Sequence, residues 1–172
     1  MNSFKGRRLA IKGLAAAGAA GAALGGIGQA LASGVETGKR APDLDIKLLN
    51  GKTLTAKQLQ GKVVVQMYWA TWCPYCRADL ADMQRIYQQQ QARGLEVVAL
   101  SIDESDKTVR EFWKGKNYSF PSAMRSDAIF EHYGRIATTP TYFIIDREGI
   151  VRQRINGSPE PGTIAQLVAS LL

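Results

Sequence analysis

The chain has 172 residues and only two cysteines, separated by two residues in Trp72-Cys73-Pro74-Tyr75-Cys76. That spacing puts both sulfurs on one helical turn, close enough to form and break a disulfide that closes a very small loop. Pro74 suits the first position of a helix, so Cys73 falls at the helix N-terminus. Unpaired backbone N–H groups and the helix dipole favour negative charge there. Thiol pKa values in such settings drop from about 8.5 to about 3.5–7. A thiolate is the nucleophile in disulfide exchange. Cys73 is therefore the expected attacking sulfur, and Cys76, a turn deeper, the expected resolving one.

Other uses of the pair compete with this reading. A static disulfide would close so small a loop that it constrains little chain entropy. The two thiolates could join His132, the only histidine, as soft ligands for copper or zinc. Haem attachment needs His directly after the second Cys, and Arg77 stands there. With so few ligands, a zinc finger or an iron–sulfur cluster within one chain is excluded. His132 lies in the polar segment Phe130-Glu131-His132-Tyr133, where a surface position is expected.

The elements that must position the pair can be read on both sides of it. Val63–Trp69 is a short apolar run rich in β-branched and aromatic residues, a buried strand. Cys76, Leu80, Met83 and Tyr87 recur at i, i+4, i+7 and i+11, one buried helix face, and Arg93-Gly94 ends that helix. The Gln88–Gln91 run is its solvated end. Leu95–Ile102 is a second buried strand, and the helical crossover makes the two strands parallel neighbours. Ser105–Lys116 reads as a helix capped by Ser105 or Asp106, and Asp127–Tyr133 as a short helix. Thr141–Asp146 and Ile150–Ile155 are strands joined through Gly149, a hairpin. Glu160–Leu172 closes the chain as a helix. The fold class is α/β: a central mixed sheet with helices on both faces.

Composition sets the wider frame. Hydrophobic residues make up 45% and charged residues 22%, an ordinary globular balance. The net charge is +7, but Lys5, Arg7, Arg8 and Lys12 lie in residues 1–32, which hold no acid. No basic stripe with interleaved aromatics appears, so no nucleic-acid partner is expected. Residues 13–35 are uncharged, rich in Ala and Gly, and pass through Ala30-Leu31-Ala32, a small-x-small cleavage pattern. Arg7-Arg8-Leu9-Ala10-Ile11-Lys12 resembles a twin-arginine export signal, with a general secretory signal as the alternative. Residues 1–32 are thus expected to be a cleavable signal peptide, residues 33–40 a flexible lead-in and residues 41–172 one domain. Export would place that domain in the periplasm, an oxidising compartment.

The motif and its surroundings together resemble the thioredoxin superfamily, in particular its exported TlpA/ResA-like branch, related to the AhpC/TSA–Redoxin domains. The resemblance rests on Trp69-Ala70-Thr71-Trp72-Cys73-Pro74-Tyr75-Cys76 and on Thr138-Thr139-Pro140-Thr141. Ala41-Pro42-Asp43, Gly61-Lys62-Val63-Val64 and Phe143-Ile144-Ile145-Asp146 extend it over residues 41–172. It implies a thioredoxin-like fold with a helical insertion before a cis-Pro140. It also implies that the backbone of Thr139 pairs with an extended substrate strand beside Cys73. Trp72 would form an apolar rim for the partner polypeptide, and Tyr75, between the cysteines, would be exposed and tune the redox potential. Asp79, one turn beyond Cys76, would accept the proton of the second thiol. Two positions depart from the family pattern. Met67 stands where many thioredoxins carry a buried acid, and Ala81 where the branch often has a kinking proline.

The resemblance implies a protein-disulfide reductase with a redox-active Cys73–Cys76 centre and no bound cofactor. Its substrates would be disulfides of specific exported proteins, re-reduced by a membrane electron donor, and the chain is expected to be a monomer. A dithiol oxidase or isomerase would use the same site in the other direction. A copper metallochaperone would use Cys73, Cys76 and His132. A peroxiredoxin is excluded by Ala70, since its signature requires Thr or Ser three residues before the reactive Cys.

Overall fold

The computed structural model describes residues 34–172. The expected export leader and the cleavage point after Ala32 lie outside them. Twelve elements follow in chain order: β1 (Ile46–Lys47), β2 (Thr53–Leu54), α1 (Ala56–Leu59), β3 (Val63–Trp69), α2 (Pro74–Gln90), β4 (Leu95–Ser101), α3 (Asp106–Lys114), β5 (Ser122–Met124), α4 (Asp127–Tyr133), β6 (Thr141–Ile145), β7 (Val151–Asn156) and α5 (Thr163–Leu171). A single 3₁₀ turn, Gln91–Arg93, extends α2, and Gly94 ends it with φ of 101°, a conformation that a side chain resists.

Five strands form one mixed sheet in the order β5-β4-β3-β6-β7. β3 pairs parallel with β4, which pairs parallel with β5. β6 runs antiparallel to β3 and β7 antiparallel to β6. β3 and β4 are buried along their whole length, as expected for central strands covered on both faces. Alternate residues serve opposite faces. Val63, Val65, Met67 and Trp69 pack with Cys76, Leu80 and Met83 of α2, Val109 of α3, and Ile164 and Val168 of α5. Val64 and Tyr68 face the other way, onto Ile129 and Tyr133 of α4 and onto Ile46 and Leu54 of the small β1–β2 ribbon. Helices therefore cover both faces, and the fold is thioredoxin-like.

The structure adds elements that periodicity does not reveal. β1, β2, α1 and β5 are two to four residues long, too short to carry a period. β5 lies inside the expected helical insertion and is fixed by its pairing with β4 at Ala99, Leu100 and Ser101. The last helix starts at Thr163 rather than Glu160. Glu160 precedes Pro161, which disfavours helical backbone at that residue, and Gly162 turns the chain with φ of 85°. The lead-in and the first residue of the domain are tied down: Val35 N–H donates to His132 O (3.0 Å), Gly38 N–H to Val151 O (2.7 Å) and Ala41 N–H to Gly149 O (2.8 Å). Among the described residues no helix is long and apolar enough to cross a membrane.

Candidate functional site

The site forms where β3 ends and α2 begins. Ile102 N–H donates to Trp69 O (2.9 Å) and closes the strand. The next residues are held by Asp103, whose carboxylate accepts from Thr71 N–H (2.9 Å), the Thr71 hydroxyl (2.7 Å) and the Ser101 hydroxyl (2.7 Å). Cys73 then occupies the N-cap of α2, with Pro74 opening the helix. Its Sγ accepts a hydrogen bond from Cys76 N–H at 3.2 Å, the place of the oxygen in an ordinary N-cap. A sulfur anion formed there would meet an N–H donor and the positive end of a 17-residue helix.

Cys73 and Cys76 are joined as a disulfide, with Cα atoms 5.3 Å apart. Cys76 is fully buried and Cys73 is 4% exposed, whereas Trp72 and Tyr75 beside them are 65% and 70% exposed. Two large aromatic side chains thus stand free at the rim of an almost covered sulfur pair. Facing it is the loop before β6. The Thr139–Pro140 peptide bond is cis, and Thr139 O lies 3.5 Å from Cys73 Sγ. In the disulfide this is a packing contact, since the sulfur carries no proton; a Cys73 thiol would have an acceptor there. The loop is held by Thr141 Oγ1 donating to Thr138 O (2.6 Å) and by Gly157 N–H donating to Pro140 O (2.7 Å).

Asp79 is half-buried one turn beyond Cys76. Its Oδ2 accepts from the Tyr142 hydroxyl at 2.6 Å and its Oδ1 from the Ser158 hydroxyl at 2.7 Å. Burial, then the hydrogen bond and charge of Asp79, push the Tyr142 phenol far above its ordinary value, so Tyr142 stays a donor. Met67 is fully buried in the same apolar cluster as Cys76, and α2 runs without interruption past Ala81.

The structure brings Trp72, Cys73, Pro74, Tyr75, Cys76, Asp79, Thr139 and Pro140 to one end of the sheet. His132 is exposed on α4, and among the described residues no group of three His, Cys, Asp or Glu side chains converges as a metal site. Tyr142, Ser158 and Asp103 were not evident from the sequence. Asp79 and Tyr142 are 63 positions apart and Asp79 and Ser158 are 79 apart, so no local spacing signals their contact.

Residues 36–171 match the Redoxin family. A curated relative, the thiol-disulfide oxidoreductase ResA of Bacillus thuringiensis, is 36% identical over 124 residues, covering 72% of this chain and 71% of its own. ResA of Geobacillus thermodenitrificans is 30% identical over 138 residues, 80% of this chain and 79% of its own. Among solved structures, a thiol:disulfide interchange protein of the thioredoxin family from Chlorobium tepidum superposes with a TM-score of 0.73 at 26% identity, covering 79% of this chain and 97% of that one.

Proposed function

We propose, from the premise that this chain belongs to the Redoxin family and is a ResA-like thiol–disulfide oxidoreductase, that it acts outside the cytoplasm as a reductant of disulfides in specific exported proteins. The observation that supports this most directly is the Cys73 sulfur at the α2 N-cap, hydrogen-bonded to Cys76 N–H and lying against Thr139 O. The direction of electron flow and the periplasmic location follow the family likeness and the leader-like residues 1–32.

The reaction runs in two displacements. In the dithiol form the Cys73 thiolate attacks one sulfur of the substrate disulfide. A mixed disulfide forms, and the other substrate sulfur leaves as a thiolate that takes a proton from solvent. Cys76 then gives its proton to the Asp79 carboxylate and attacks Cys73 Sγ. The Cys73–Cys76 bond forms, the bond to the substrate breaks, and the second substrate sulfur leaves as a thiolate that takes a proton from solvent. The substrate gains two electrons and the protein loses two, ending in the disulfide seen here. A membrane thiol-transferring donor restores the dithiol. Trp72 and Tyr75 form the apolar rim against which the substrate chain lies, and the Thr139 backbone aligns it as an added strand.

The test is trapping. Cys73→Ala is expected to abolish reduction of a peptide disulfide, and Cys76→Ala to accumulate mixed disulfides through Cys73. Export is tested by fractionating cells and sequencing the N-terminus of the secreted form, which should begin at Ser33. If Cys73→Ala retained activity, the assignment of the nucleophile would be wrong.

A further inference from the structure

Asp79 is gripped at both oxygens by hydroxyl groups from two separate elements. Tyr142 sits on β6, two residues beyond Pro140, and is completely buried. Ser158 sits in the loop after β7, next to Gly157, whose N–H bonds to Pro140 O at 2.7 Å. Two donors, at 2.6 and 2.7 Å, leave the carboxylate little freedom to rotate. Each oxygen keeps a second lone pair, so the carboxylate can still accept a proton. On a helix, positions i and i+3 lie about 5–6 Å apart at Cβ, which holds the fixed carboxylate beside the Cys76 turn.

The surroundings set the direction in which a proton would move. A cleft of about 30 Å³ beside the carboxylate is lined by Asp79, Asp82, Tyr142 and Glu160, with apolar and glycine residues completing it. No Lys or Arg lines it. Asp82 on α2 and Glu160 on the loop add negative charge around the Asp79 carboxylate. Tyr142 cannot compete for that proton, because burial and Asp79 keep its phenol protonated.

We infer that Tyr142 and Ser158 are positioning residues that hold the Asp79 carboxylate in place to take the proton of Cys76, and so set the rate of the resolving step but not of the attack. The inference rests on the reading of Asp79 given above. It ties the resolving chemistry to the loop around Pro140, since Gly157 and Ser158 are adjacent.

The experiment is a rapid-quench reaction of the reduced protein with oxidised glutathione as the probe. Attack releases one glutathione thiol and leaves a Cys73–glutathione mixed disulfide; resolution releases the second. Mass spectrometry separates the two phases. Tyr142→Phe is expected to slow resolution about tenfold at neutral pH, a part of the roughly 10²–10⁴-fold that general acid–base catalysis contributes when intact, and to move its pH midpoint upward. Ser158→Ala is expected to slow it about threefold, the scale of one exposed hydrogen bond, and Ser158→Thr, which keeps the hydroxyl, to restore it. The attack phase should be unchanged in all three. If Asp79→Asn slows resolution while neither hydroxyl variant does, the positioning inference is overturned and the role of Asp79 stands. If Asp79→Asn leaves resolution unchanged, the reading of Asp79 fails and the inference falls with it. The exposed Ser158 variants guard against a fold defect in Tyr142→Phe.

Discussion

Asp103 holds Thr71 twice, accepting from its N–H at 2.9 Å and from its hydroxyl at 2.7 Å. Thr71 is two residues before Cys73, so a carboxylate two residues past β4 sets the path of the chain into the reactive turn. Ser101 completes the clamp. Hydrogen bonds to a charged group are worth about 1.5–3 kcal/mol each, and their loss strands the remaining partners. Asp103→Ala is expected to lower unfolding free energy by about 2 kcal/mol. Denaturant titration checks it.

Leu80 lies one turn behind Cys76 on the buried face of α2 and is fully enclosed. Leu80→Ala leaves a cavity at the floor of the site and is expected to cost about 3 kcal/mol. Because Cys73 and its N-cap contact are untouched, the loss should appear in the denaturation midpoint before it appears in the chemistry. A midpoint unchanged from the parent protein would contradict the packing described.

Asp146 closes the β6–β7 turn. Burial raises its carboxyl, but the Ile150 N–H, the Arg152 guanidinium and the Glu148 N–H outweigh that and hold it below the usual carboxylate value. A lowered folded value means that the stabilisation is complete above about pH 4, the unfolded carboxylate value, and is lost as pH falls through the lower folded one. Asp146→Asn should therefore be destabilised at pH 6–7, and its stability should converge on that of the parent protein as pH falls through the lowered folded value. Parallel curves across the acid range would show that Asp146 is not held in this way.

Trp72 and Tyr75 offer large exposed aromatic surfaces next to a sulfur pair that is nearly covered. Aromatic residues at the centre of an interface carry much of its binding energy, about 1–2 kcal/mol on truncation or more. Trp72→Ala is expected to raise KM for a protein disulfide by about tenfold, and by much less for oxidised glutathione, which is too small to span the rim. Equal changes for both substrates would remove the rim from the account.

How much could be read in advance divides along physical lines. β3, α2, β4 and the β6–β7 hairpin are long or strongly patterned, and their burial follows from residue type and period. The Cys73–Cys76 turn needs only four residues and a proline, so it is legible from the sequence. β5 is not, because Ser122-Ala123-Met124 becomes a strand only by pairing with β4. Neither are the grips on Asp79 and Thr71, because hydroxyl and carboxylate partners meet across distances in sequence that carry no period. The lead-in looked free in composition, yet its backbone is paired with β7 and α4, a contact that Ser, Gly and Thr content does not predict.

The reduction potential of the Cys73–Cys76 couple, taken by equilibrating the purified protein against thiol buffers of defined poise, decides whether the protein works as a reductant. Reference couples run from about −270 mV for thioredoxin to about −120 mV for a strong periplasmic oxidant. A reductant of exported disulfides is predicted to lie near or below the thioredoxin end. A value near −120 mV, or the absence of any reversible couple, would contradict it.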